Sequence, residues 1–156
     1  MNTDEIMESA SPTKRIISSI IDVIATFIPS ILAYSGLKHQ DISPTLLWFS
    51  IFIVSTCILV YITGTGTLGD LLLRLKTTKV NGDSITKGKL VLRQLFCCTI
   101  LFALIIPLPN ITTRVIFLII GVGIYFQMFI RNKQHNQYMT MVDSVFKTTV
   151  MSIVRK

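Results

Sequence analysis

The residue in this sequence with the most chemistry to offer is an aspartate set inside a long apolar run. Asp22 lies within IISSIIDVIATFIPSILAY, from Ile16 to Tyr34. If that run crosses a membrane, Asp22 stands roughly 9 Å beyond Ile16 at the helical rise of 1.5 Å per residue. An ionised carboxylate at such depth costs roughly 2.5–3.5 kcal/mol on insertion scales. It must therefore face other polar groups, take up a proton or meet a cation. Burial favours the protonated form and a nearby guanidinium the ionised one, so a carboxylate that switches between them carries protons. Two arginines can answer it, and a second aspartate would complete the network. Arg15 lies two helical turns earlier on nearly the same face, about 10.5 Å away along the axis. Arg93 opens another apolar run, where its stem can lie in lipid while its head stays polar. Asp143 follows in the tail. Together Arg15, Asp22, Arg93 and Asp143 are expected to form one network. It is either an ion or proton site, or a buried staple that fixes helix register.

Other familiar chemistry is missing. Cys57, Cys97 and Cys98 lack metal-ligand spacing, and His39 and His135 are expected on opposite faces of the membrane. Serine, cysteine and histidine fall into no nucleophile arrangement. Gly64-Thr-Gly66-Thr-Leu-Gly69 spells GxGxxG, but a dinucleotide site needs a buried strand before it and a βαβ unit around it. Here an apolar span precedes the motif, so its glycines are expected to let the backbone bend away along the membrane surface. No enzyme, cofactor or metal is expected.

The elements that position the four charged residues follow from hydropathy. The chain has 156 residues, 51% hydrophobic and only 15% charged, against about a quarter charged in a soluble domain. Runs of about 20 apolar residues suffice to cross a bilayer. Four are expected to do so, at 16–34, 46–62, 90–108 and 115–130. A soluble bundle would need a polar stripe on every helix, which the second and fourth runs lack. The first run contains an aspartate and lacks a clean cleavage site, so it reads as a retained helix and not a signal peptide. Of the fifteen lysines and arginines, only Lys38 and Arg114 fall on one side of these spans. That asymmetry predicts cytoplasmic N- and C-termini in a multi-pass protein of the cell membrane. The net charge of +7 is then explained by anionic headgroups, not nucleic acid. The expected headgroup contacts are Lys14, Arg74, Lys76, Lys79, Lys87, Lys89, Arg131 and Lys133.

Between the second and third spans, Leu71, Leu73 and Leu75 alternate with Leu72, Arg74 and Lys76 ahead of an Asn81-Gly82 turn. This predicts a small cytoplasmic β-hairpin. In the tail, Tyr138, Met141, Val142, Val145, Phe146 and Thr149 recur at helical spacing and predict a short interfacial helix. Residues 1–11 are expected to be a disordered cytoplasmic N-terminus, and 12–154 one transmembrane domain. The fold class is therefore an all-α membrane protein with four transmembrane helices, one hairpin and one interfacial helix.

These motifs, taken in order, resemble the RDD family of small membrane proteins, named for an arginine and two aspartates. Its arginine opens the first transmembrane helix and its first aspartate follows seven residues later, as in Arg15-Ile-Ile-Ser-Ser-Ile-Ile-Asp22. Thr67-Leu-Gly69-Asp70, Leu75-Lys76, Asn81-Gly82-Asp83 and Leu92-Arg93 look like the family's middle pattern, and Asp143 with Thr148-Thr149-Val150 like its closing motif. Asp70 stands where lysine is usual, Arg74 where glycine is usual, and Val142 where a histidine often precedes the aspartate. The resemblance implies either an accessory membrane subunit or a protein exchanging monovalent cations for protons. The residues favour an accessory or scaffold subunit, alone as a homo-oligomer or with a membrane protein partner. The alternative is a small cation/proton transporter using Asp22.

Overall fold

Ser11 and Pro12 start the first helix. The Ser11 hydroxyl accepts from the Lys14 N–H at 3.4 Å, and proline at the first position gives up a donor that would have no partner there. Helix α1 then runs Pro12–Gly36 in this computed structural model, which describes residues 5–37, 43–105, 112–113, 115–116, 119, 131–132 and 137–155. The buried positions of α1 are Pro12, Arg15, Ser18, Asp22, Thr26 and Ser30, three or four residues apart and nearly all polar. Its apolar side chains Ile20, Ile24, Phe27, Ile28, Ile31 and Leu32 point outward, each at least half exposed. A soluble helix does the reverse. Water penalises an exposed apolar face of this extent; lipid does not. The inward hydroxyls need no outside partner: Thr26 donates to the Asp22 carbonyl at 2.9 Å and Ser30 to the Thr26 carbonyl at 2.6 Å.

Helix α2, Pro44–Thr63, ends where Gly64 takes the left-handed conformation (φ +65°). It buries Phe49, Phe52, Thr56 and Val60. Both α1 and α2 are long and apolar enough to cross a membrane. Helix α4, Lys87–Ile105, packs against α2, which packs against α1. Phe49, Phe52 and Cys98 meet between α2 and α4, with Val23 and Trp48 against them. Between α2 and α4 lie a short helix α3, Leu68–Leu72, and strand β2, Leu75–Lys79. A two-residue ladder joins β3, Arg131–Asn132, to β4, Gln137–Tyr138. Helix α5, Met141–Phe146, and strand β5, Thr148–Arg155, follow.

Strand β5 is the centre of a three-stranded sheet. It pairs antiparallel with β2 (Leu75 opposite Ser152, Lys79 opposite Thr148) and with β1, Glu5–Ser9 (Glu5 opposite Arg155, Ser9 opposite Met151). Ala10, Leu75 and Val150 pack beneath it. The sheet gathers the start of α1, the end of α2 and the start of α4 at one end of the molecule.

Five expectations are corrected by these elements. The protein is mostly helical but not all-α. Residues 5–9 of the expected disordered N-terminus form β1, because β5 offers them an eight-residue template. The Asn81-Gly82 turn does form, with Gly82 at φ +83° and its N–H on the Lys79 carbonyl at 2.9 Å. Yet β2 does not return on itself as a hairpin. A lone two-stranded ribbon is marginal, and β2 pairs with β5 instead. Leu71 and Leu72, expected to alternate as strand, belong to α3, since Thr67 and Asp70 form a capping box that starts a helix there. The tail helix is only six residues long; the β-branched run Thr148-Thr149-Val150 turns the rest into β5. The expected fourth span at 115–130 lies almost wholly outside the described residues, as do Lys133, His39 and His135.

Candidate functional site

Asp143 is fully buried and receives five hydrogen bonds. Thr140 caps α5, and the Thr140 N–H reaches Asp143 Oδ2 at 3.0 Å while the Asp143 N–H returns to Thr140 Oγ1 at 3.1 Å. That reciprocal cap aims the carboxylate at the helices. Arg15 Nη2 meets Oδ2 at 2.6 Å and Arg93 Nη2 meets Oδ1 at 2.6 Å. Arg93 Nε adds a bond at 3.2 Å and the Thr148 hydroxyl one at 3.3 Å. Arg15 Nη1 also donates to the Tyr138 carbonyl at 3.2 Å. One carboxylate thus ties α1 and α4 to the segment between β4 and β5.

The electrostatics are one-sided. Burial alone would push the Asp143 carboxyl above its ordinary value of 3.8, but the two guanidiniums and the Thr140 N–H outweigh it and hold the group well below the usual carboxylate range. It stays ionised at any physiological pH.

Asp22 belongs to a different arrangement. It is buried, and its Oδ1 accepts from the Gly69 N–H at 2.8 Å. Among the described residues it forms no ion pair, so the expected four-residue network divides into an Arg15–Asp143–Arg93 triad and a separately bonded Asp22. The cation expected to answer the buried aspartate is replaced by a backbone donor. That donor is available because α3 lies directly on α1: a Cβ on Gly69 would stand 2.0 Å from the Ser18 carbonyl oxygen. The GxGxxG run is thereby accounted for. Gly64 turns the chain out of α2 and Gly69 allows contact of backbone with backbone. Asp70 fastens the same junction, accepting from the Ser18 hydroxyl at 2.6 Å and from the Thr67 N–H at 3.2 Å.

A cavity of about 130 Å³ joins the two arrangements, and Arg15, Ser18, Asp22, Asp70, Arg93 and Cys97 are among its lining residues. Sequence reasoning missed Ser18, Thr67, Gly69, Asp70, Thr140 and Thr148 as parts of this site. The signal for Ser18 was its place in the stripe Arg15, Ser18, Asp22, Thr26, Ser30. Thr67 with Asp70, and Thr140 with Asp143, each carried the spacing of a capping box.

The described residues among the expected headgroup contacts, which leave out Lys133, sit around the sheet-bearing end. Lys14 donates to the Ser152 hydroxyl at 2.9 Å, and Lys87 lies 5.4 Å from the Tyr61 ring centroid. Arg74, Lys79 and Lys87 are exposed, Lys76 and Lys89 half-buried, and Arg131 begins β3.

The model of the RDD family matches residues 9–147, a span that encloses Arg15, Asp22, Arg93 and Asp143. The chain belongs to the RDD family. Neither a curated protein nor a solved structure matches it. Membership makes the outward apolar faces of α1 and α2 those of a membrane protein. The geometry also bears on two departures from the pattern the sequence resembles. Arg74, where glycine is usual, has φ +53°, a left-handed conformation that glycine adopts without strain. Asp70, where lysine is usual, supplies the bonds to Ser18 and Thr67 described above.

Proposed function

We propose that this RDD protein is an accessory or scaffold subunit of the cell membrane, without catalytic activity, built on four spans with both termini cytoplasmic. The observation that carries the reading is the closed Arg15–Asp143–Arg93 triad. Both carboxylate oxygens are bonded, and Asp143 is sealed from solvent. A charge so fully matched is suited to holding helices in register, not to exchanging ions. The orientation is supported by the clustering of Lys14, Arg74, Lys76, Lys79, Lys87 and Lys89 at the sheet-bearing end, as the excess of cations on cytoplasmic loops requires. The partner is a second copy of this chain or another membrane protein. Affinity capture of the full chain from membranes in a mild detergent tests this. A stoichiometric partner or a defined oligomer is expected; recovery of the monomer alone would overturn it.

A second reading, monovalent cation/proton exchange, is favoured by one observation: Asp22 is outside the triad, beside Asp70 on the same cavity. Liposomes containing the protein would then move protons against Na⁺ or K⁺, and Asp22→Asn would abolish the flux. Wild-type flux equal to that of empty vesicles removes this reading.

A further inference from the structure

At the sheet-bearing end, three lysines from three elements converge on one concavity. Lys79 is the last residue of β2, Lys89 lies in the first turn of α4 and Lys147 caps α5; Asn81 and Ser144 complete its polar lining, and its volume is about 470 Å³. Small-molecule pockets span about 300–1,000 Å³. Backbone pairing sets Lys79 and Lys147 side by side, since Lys79 stands opposite Thr148 in the ladder and the Val80 N–H donates to the Lys147 carbonyl at 3.3 Å. Their charge is largely uncompensated. Asp83 pairs with Lys79 at 3.8 Å with both side chains exposed, a contact that water screens.

Two local features bear on this site. Lys147 sits at φ +51°, a helix-ending conformation usually given to glycine or asparagine. Helix α4 opens with Lys87 and Lys89 and has no acidic residue in its first turn, where the helix dipole favours negative charge. An oxyanion bound between Lys79, Lys89 and Lys147 would offset the positive charge at the start of α4, and the Asn81 amide offers a neutral donor beside it.

We propose that this concavity binds a phosphate group, recognised by the three ammonium groups. Anionic phospholipid headgroups and free phosphate share that chemistry. The site is independent of whether the protein serves as scaffold or carrier; only the lipid source rests on the sheet-bearing end lying at the membrane surface.

The test uses the full chain in a neutral maltoside, offered phosphatidylglycerol, phosphatidylcholine or inorganic phosphate, with bound adducts counted by native mass spectrometry. Retention of phosphatidylglycerol at least five-fold above phosphatidylcholine, not displaced by millimolar phosphate, supports the site with lipid as the source. Phosphate adducts that displace the lipid support it with a soluble source. In either case Lys147→Gly lowers retention several-fold while the melting temperature holds or rises, and Lys79→Gln with Lys89→Gln does the same without the backbone change. Equal retention of both lipids with no phosphate bound overturns the proposal, as does wild-type preference in both variants.

Discussion

Replacing Asp143 by asparagine tests the triad most directly. The amide keeps the shape of the carboxylate and removes its charge, leaving Arg15 and Arg93, 8% and 9% exposed, without their shared counter-ion. Removing one partner of a buried ion pair costs about 3–5 kcal/mol, because the remaining charge stays desolvated. Here two cations are stranded, which raises the cost. Their long stems lie at the end of the bundle where the heads can swing toward water, which lowers it. About 4 kcal/mol results, or about a thousand-fold in the folding equilibrium. The single tryptophan, Trp48, packs against Phe52 in α2 and reports unfolding by its fluorescence as denaturing detergent is titrated into mild micelles. The control is the combined variant Arg15→Met, Arg93→Met and Asp143→Leu. Replacing a whole buried ionic triad by apolar residues is often neutral or stabilising, so this variant is expected to unfold no more easily than wild type. The reasoning is refuted if Asp143→Asn unfolds within about 1 kcal/mol of wild type, or if the combined variant loses more than the single one.

Three shorter expectations follow from the same geometry. Stability depends on pH through Asp143: its folded value lies below the ordinary 3.8, so its contribution is complete above the unfolded value and disappears as pH falls through the folded one. Melting temperature is therefore expected to be level from pH 8 to about 5 and to drop below about 4, with a smaller acid loss in Asp143→Asn. Gly69→Ala drives a methyl into the Ser18 carbonyl and is expected to cost about 3 kcal/mol, read as loss of folded protein or a lowered melting temperature. Arg74→Gly relieves the left-handed strain at φ +53° and is expected to stabilise by about 1 kcal/mol, which thermal unfolding in micelles measures.

The sequence carried the helices of the membrane region better than it carried the sheet. Unbroken apolar runs require little beyond their own length to become α1 and α2. The spacing of Arg15 and Asp22 placed both on the inner face of α1. What periodicity cannot encode is the partner. Arg15 and Asp143 lie 128 residues apart and Arg93 and Asp143 lie 50 apart, so only the sheet, which draws the tail back to the start of α1, brings them together. The sheet itself was obscured because Tyr138, Met141, Val142, Val145, Phe146 and Thr149 satisfy a helical period that the chain follows only to Phe146. Beyond Lys147 the local preference of Thr148-Thr149-Val150 and the open edges of β1 and β2 outweigh it. The Asn-Gly turn was correctly placed but wrongly partnered, since a turn fixes local direction and not the strand on the far side.

The two buried aspartates thereby acquire different tolerances. Asp143 answers two cations and cannot gain a proton without stranding them. Asp22 answers neutral donors, the Gly69 N–H and the Thr67 hydroxyl, and an asparagine oxygen accepts the Gly69 bond as well as a carboxylate does. Asp22→Asn is therefore expected to cost under 1 kcal/mol in folding, against about 4 kcal/mol for Asp143→Asn. The comparison separates the functional readings. If Asp22→Asn leaves the melting temperature and the captured partner unchanged yet abolishes cation/proton flux, the carboxylate is kept for its charge and the carrier reading stands. Where flux is undetectable in wild type and Asp22→Asn still captures its partner, neutral hydrogen bonding is all that α1 requires of position 22. A loss of stability in Asp22→Asn as large as in Asp143→Asn would refute the division itself, since it would mean that the Asp22 charge is matched by a cation after all.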